Sequence, residues 1–227
     1  MAKRNEKEDK IERPHLIICE GLDAKLYMIW FLEALIRDSI IKDKMFQAMD
    51  AGGITNLPIF IKTLPNLPNF DDIVKSIIIV RDSENNFKGA NQSVQALLRK
   101  GGFAVPVEPC VVARPDENDR NIKTGYALFP KLDADSTNGT LEDLCLNTLI
   151  DQNKDMLMGI VEKAIESHSE RFDKFKRPHK NKLHTFLSLT DKFVGLKIGE
   201  SAKINAFDFQ SEDVRPLKEL LCAMLTD

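Results

Sequence analysis

Two short apolar runs, each ending abruptly in acid, restrict what this chain can fold into more than any other feature. Ile17-Ile18-Cys19 stops at Glu20 and Gly21, and Ile77-Ile78-Ile79-Val80 stops at Arg81, followed by Asp82 and Glu84. β-Branched runs of this length with sharp polar ends read as strands buried on both faces of a parallel sheet. Ligands of open α/β sheets bind beyond the carboxyl ends of the strands. Two such strands would deliver Glu20, Asp82 and Glu84 to one rim, and three carboxylates there call for a cation. The same acids also suit loops that cap helices, so the runs alone leave both readings open.

A chain of 227 residues is long enough for one large domain or two small ones. Its 43% hydrophobic and 30% charged content is that of an ordinary soluble globular protein. A formal net charge of −3 argues against a basic nucleic-acid coat. It leaves room for an enzyme that meets phosphates through a metal and a local patch of Lys and Arg. No apolar stretch approaches the roughly 20 residues that span a bilayer, so no membrane is expected as a partner. The opening MAKRNEKEDKIERP is charged throughout, without the apolar core of a signal peptide, and the expected location is the cytoplasm. Cys19, Cys110, Cys145 and Cys222 are scattered among apolar neighbours and read as reduced core thiols rather than zinc ligands. His15, His168, His179 and His184 show no close ligand spacing, and nothing supports a Ser/His/Asp nucleophile.

Along the chain, residues 1–13 read as a polar tail and 14–227 as a single domain. A strand over 15–19 leads to a helix over 23–38, where Leu26, Ile29, Trp30, Ala34 and Ile36 recur at helical spacing. A second strand is predicted over 44–49, halted by Ala51-Gly52-Gly53. The piece from Thr55 or Asn56, with Pro58 in its first turn, reads as a helix, although its β-branched content also suits a strand. The third strand covers 76–81 and the next helix 89–100, closed by Gly101-Gly102. Phe103–Val107 reads as a further strand, with Pro109–Ala113 extending the sheet, 114–125 as a loop, and Tyr126–Phe129 as the last strand. After a linker over 132–139, Thr140 is placed to cap a helix whose first turn carries Glu142 and Asp143. Further helices are predicted over 153–169, 181–191 and 212–225. The expected architecture is α/β, with a central, mainly parallel sheet and a helical C-terminal part.

These residues also resemble a family. Glu20-Gly21 after the first strand, a Gly-Gly turn after the second and an acid-x-acid pair after the third outline a Toprim domain. That domain is the catalytic core of topoisomerases, bacterial primases and the OLD-family nucleases. CEGLD at 19–23, AGG at 51–53, VRDSENN at 80–86, NQSVQALLRKGGFAVP at 91–106, LFP at 128–130, NGTLEDL at 138–144 and PHKNKLHTFL at 178–187 are similar to the small stand-alone DUF3226 group. The resemblance runs over nearly the whole chain after residue 13.

The resemblance implies that Glu20, Asp82 and Glu84 bind Mg²⁺ or Mn²⁺, with Glu20 doubling as general acid or base. Glu84 stands where aspartate is commoner. OLD-type nucleases also carry a downstream acid and a later lysine, which match Glu142 as a metal ligand and Lys182 as a catalytic cation, with Lys180 as its rival. Their acid four residues after the strand-one glutamate is Ala24 here, with Asp23 one earlier, which puts a second metal in doubt. Physical chemistry is consistent with this set. Mg²⁺ takes hard oxygen ligands and often only one or two carboxylates plus water and substrate phosphate, and a lysine beside a scissile phosphate stabilises the charge that develops there. Gly52-Gly53 serves either as a plain turn or as a place where phosphate approaches the backbone. The basic run 171–182, with Phe172 and Phe175 interleaved, suits either single-strand contact or a solvated helix end. The expected function is a Mg²⁺-dependent phosphodiester hydrolase acting on DNA or RNA. The alternative is a non-catalytic Toprim module that binds nucleic acid or a partner protein such as an ATPase.

Overall fold

The computed structural model describes residues 10–130, 132, 138–171, 175 and 177–226. Four parallel strands form its centre: β1 (His15–Cys19), β2 (Phe46–Asp50), β3 (Ser76–Asp82) and β4 (Lys123–Phe129), in the order β2-β1-β3-β4. The helices among the described residues are α1 (Leu22–Arg37), α2 (Leu57–Thr63), α3 (Phe70–Ile73), α4 (Phe87–Lys100), α5 (Leu141–Thr148), α6 (Lys154–Arg171), α7 (Pro178–Ser188), α8 (Ile198–Lys203) and α9 (Arg215–Leu225). The fold is α/β and Rossmann-like, as the two acid-ended runs predict.

Alternation along each strand sends side chains to opposite faces, and both faces are covered. Ile17, Cys19, Ile78, Val80, Ala127 and Phe129 face a layer built by α1, α5, α7, α8 and α9. Leu16, Ile18, Ile77, Ile79, Tyr126 and Leu128 face α2 and α4. A strand apolar on both faces has no polar side to present to water, which is why the runs are continuous rather than alternating. α8, which periodicity does not predict, crosses α1 so closely that a Cβ on Gly199 would stand 2.5 Å from Leu26 Cβ.

Around β4 the structure also differs from the expected elements. Phe103–Val107 is not a strand. Its carbonyls are taken by side chains instead: Gln95 Nε2 donates to Pro106 O (3.0 Å) and Val107 O (3.1 Å), and Thr124 Oγ1 donates to Ala104 O (2.6 Å). Pro106 has no N–H to give a ladder. Residues 110–113 do not extend the sheet as a strand but lie along the outer edge of β4. The Cys110 amide donates to Tyr126 O at 2.7 Å, and Ala113 exchanges bonds of 2.8 and 3.0 Å with Thr124. β4 itself begins at Lys123, so the end of the expected loop belongs to the sheet.

At the other edge, the described part of the expected polar tail is packed against β2. Ile11 is fully buried, Gln47 bonds both Lys10 O and the Glu12 amide, and Arg13 Nη1 donates to Phe46 O at 2.9 Å. Among the described residues no helix is long and apolar enough to cross a membrane.

Candidate functional site

The carboxyl ends of β1 and β3 lie side by side because Cys19 is in register with Val80 and, on its other side, with Asp50. Glu20 follows β1, its amide bonded to Val80 O at 2.9 Å, and Asp82 is the last residue of β3. Beyond Asp82 the chain turns on Ser83 and Glu84, whose φ of 54° is left-handed, a conformation unusual for a non-glycine residue. Glu84 is held in it by a two-way backbone pair with Gly139, of 2.8 and 2.7 Å. Gly139 has a φ of 146°, and a Cβ there would meet Asp143 Oδ2 at 2.7 Å and the Pro130 ring at 2.9 Å. The residue after Thr140 then aims its amide at the sheet: Leu141 N donates to Asp82 Oδ1 at 2.8 Å.

This arrangement brings one carboxyl oxygen from each of Glu20, Asp82 and Glu84 within 4.8 Å of one another. Glu20 and Asp82 border a cleft of about 160 Å³ that Asp23, Glu142 and Lys180 also line; Glu84 opens onto a neighbouring hollow shared with Arg81. Burial pushes the Asp82 carboxyl up to about 8; the Leu141 amide opposes that rise, and Glu20, Glu142 and Glu84 reinforce it. Burial raises Glu20 as well, with Arg81 pulling it down and Glu84 pushing it up. Arg81 is 7% exposed. Its Nε donates to Asp82 O at 3.1 Å and lies 3.5 Å from Glu20 Oε2. That oxygen is sealed from solvent and has no hydrogen-bond partner among the described residues. Its charge is met by the Arg81 guanidinium rather than by a hydrogen bond.

Glu142 does not join the three-acid group. Its buried carboxylate pairs with Lys180 Nζ at 3.0 Å. Burial alone would raise Glu142, but the Lys180 hydrogen bond and charge outweigh it and leave the group below its ordinary value. Desolvation likewise lowers Lys180, and Glu142 more than restores it. The neighbouring Asp143 bonds the Thr140 amide at 2.9 Å and meets His179 Nδ1 at 2.6 Å. The start of α7 is thus docked on the acidic start of α5.

Lys180, rather than Lys182, lines the cleft; Lys182 reaches Glu162 on α6 at 3.7 Å instead. Residues two apart on a helix point about 200° from each other, so only one of the two lysines can face α5. Lys180 shares a helical face with the buried Leu183 and Leu187, a spacing visible in the sequence. Arg81, which follows the apolar run in the sequence and could there face a phosphate, is instead buried and turned toward Glu20.

Gly52 and Gly53 form a turn whose amides are already engaged, Gly52 with Asp50 Oδ1 at 2.7 Å and Gly53 with Glu20 O at 2.6 Å. Neither is free for a phosphate, and the turn fixes the backbone of Glu20. Of the two phenylalanines in the basic run, Phe172 lies outside the described residues, and Phe175 stacks on His168 with ring centroids 4.0 Å apart.

Chemically, the rim offers clustered oxygen donors, a tuned acid and a partly exposed lysine. No curated protein matches the chain. No solved structure matches it either. A family model described as "Protein of unknown function (DUF3226)" matches residues 14–226, and the chain belongs to that family.

Proposed function

We propose that the protein is a Mg²⁺- or Mn²⁺-dependent phosphodiester hydrolase acting on DNA or RNA, with a Toprim-like catalytic rim. The observation that carries this reading is the convergence of Glu20, Asp82 and Glu84 within 4.8 Å, with Glu20 Oε2 buried and lacking a hydrogen bond. Protons alone serve such a group poorly, whereas a hard divalent cation satisfies all three acids. The resemblance of CEGLD, AGG and VRDSENN to Toprim motifs supports the same assignment.

Glu20, Asp82 and Glu84 would hold the ion, which when bound supplies a Lewis acid for the phosphate and acidifies a water. Asp82 must give up its proton for this to happen, and the Leu141 amide favours the resulting carboxylate. Arg81 beneath Glu20 offsets part of the clustered negative charge. Lys180, 42% exposed at its side chain, is the cation able to turn from Glu142 toward an incoming phosphate and balance its charge. Glu142 then anchors the lysine rather than the metal.

Thermal unfolding with and without Mg²⁺ or Mn²⁺, run beside cleavage of single- and double-stranded DNA and RNA, tests the reading. Metal should raise the melting temperature, and Asp82→Ala should abolish both that rise and any cleavage. Absence of a response to either metal would remove the site. Metal stabilisation without cleavage would turn the reading toward a module that binds nucleic acid or a partner protein such as an ATPase.

A further inference from the structure

A larger concave region lies at the other end of the sheet, away from the acidic rim. It is a cleft of about 840 Å³ bounded by the amino ends of β1, β3 and β4 and by the loop that carries Arg114 and Arg120. His15 opens β1 at its floor, 5% exposed, with Nδ1 2.8 Å from Ser76 Oγ. Lys75 immediately precedes β3 and Lys123 opens β4. The Lys123 amide bonds Lys75 O at 3.0 Å, which sets the two lysines on adjacent strands.

Like charges on neighbouring strand positions repel. Among the described residues, Lys123 Nζ donates to an uncharged acceptor, the Thr226 carbonyl, and makes no ion pair. No ion pair to Lys75 occurs among the described residues. Arg120 is steadied on the same wall by the Phe103 ring, 5.8 Å from its Cζ, and by Gly101 O at 3.3 Å. Among the described residues that line the cleft, Asp71 and Asp72 are the carboxylates beside Lys75, Lys123, Arg120 and Arg114, and Arg114 has a partner of its own. The remaining walls include apolar surface from the partly buried Ile73 and Leu225. Burial lowers the His15 imidazole to about 4, and Lys75 and Lys123 push in the same direction, as an excess of positive charge at the floor requires.

We propose that this cleft binds a small organic phosphate, its anionic head held between Lys75 and Lys123 and its body against Ile73 and Leu225. Several cations on different walls suit a head with more than one negative charge, and the volume falls in the range of small-molecule sites. The inference is independent of the acidic rim.

The test uses the full chain in EDTA, titrated separately with ATP and with tripolyphosphate, followed by thermal unfolding and by NMR of the His15 imidazole. ATP should raise the melting temperature more than tripolyphosphate and should move the His15 titration upward, because a bound anion offsets the two lysines. Lys75→Glu should weaken ATP binding about tenfold or more, while Lys75→Arg and Asp82→Ala should keep it. ATP binding unchanged in Lys75→Glu, or lost in Asp82→Ala, would overturn the assignment. So would an unmoved His15 titration, and tripolyphosphate matching ATP would show that the organic body has no seat.

Discussion

Asp82→Asn in metal-free protein separates the acid's electrostatics from its shape. The Asp82 carboxyl stands at about 8 in the fold against an ordinary 3.8. As pH rises between those values, the unfolded chain has already lost this proton while the folded one still holds it. The stability that the proton confers is therefore full below about 4 and gone above about 8, with a slope of up to ~1.4 kcal/mol per pH unit. From about pH 5 to about pH 7 the wild type should lose ~2–3 kcal/mol in EDTA from this group. That corresponds to roughly 5–10 °C in melting temperature for a chain of this size. The Asn variant keeps an oxygen to accept from Leu141 N and has no proton to lose. It should already be ahead of the wild type near pH 5, and its lead should grow by ~2–3 kcal/mol by about pH 7. Denaturant unfolding in EDTA across that range reads the difference directly. Parallel curves for the two proteins would refute the claim that burial holds Asp82 protonated.

Four further outcomes follow from the structure. Because metal must displace the Asp82 proton, the rise in melting temperature caused by Mg²⁺ should be larger near pH 8 than near pH 6, measured by calorimetry or dye-monitored unfolding. Lys180→Ala leaves buried Glu142 unpaired, and since the lysine is partly solvated the expected cost is ~1–2 kcal/mol, together with loss of metal-dependent cleavage. Lys182→Ala should stay within ~0.5 kcal/mol and leave cleavage intact. Gly199→Ala forces α8 away from Leu26 and should cost ~1–3 kcal/mol in denaturant unfolding without changing the metal response.

The parts of this fold legible in sequence are those whose cause is local. β1 and β3 announce themselves because a strand covered on both faces must be apolar at every position, and Glu20 and Asp82 are then placed by the register of parallel neighbours. Phe103–Val107 is misleading for the opposite reason. Its composition suits a strand, but Gln95 and Thr124, distant in sequence, take its carbonyls. α8 is six residues long, too short for periodicity to mark, and its position depends on the fit of Gly199 to α1. The acids of the candidate site were readable as a set, whereas the choice between Lys180 and Lys182 depended on how α7 docks. The motif that suggests Glu142 as a metal ligand says nothing of Lys180, and their pairing is visible only in the three-dimensional contact.

The treatment of the two outer strands has a consequence for behaviour at high concentration. An open sheet exposes unpaired backbone groups along β2 and β4, which invite edge-to-edge association with other chains. Here residues 110–113 occupy Tyr126 and Thr124 on one border, while Arg13 and Gln47 tie residues 10–13 along the other. Neither guard is a full strand, so each can be lost without dismantling the central sheet. Cleavage or mutation within these short straps would uncover a template for self-association and turn a guarded border of the sheet into a seed for aggregates.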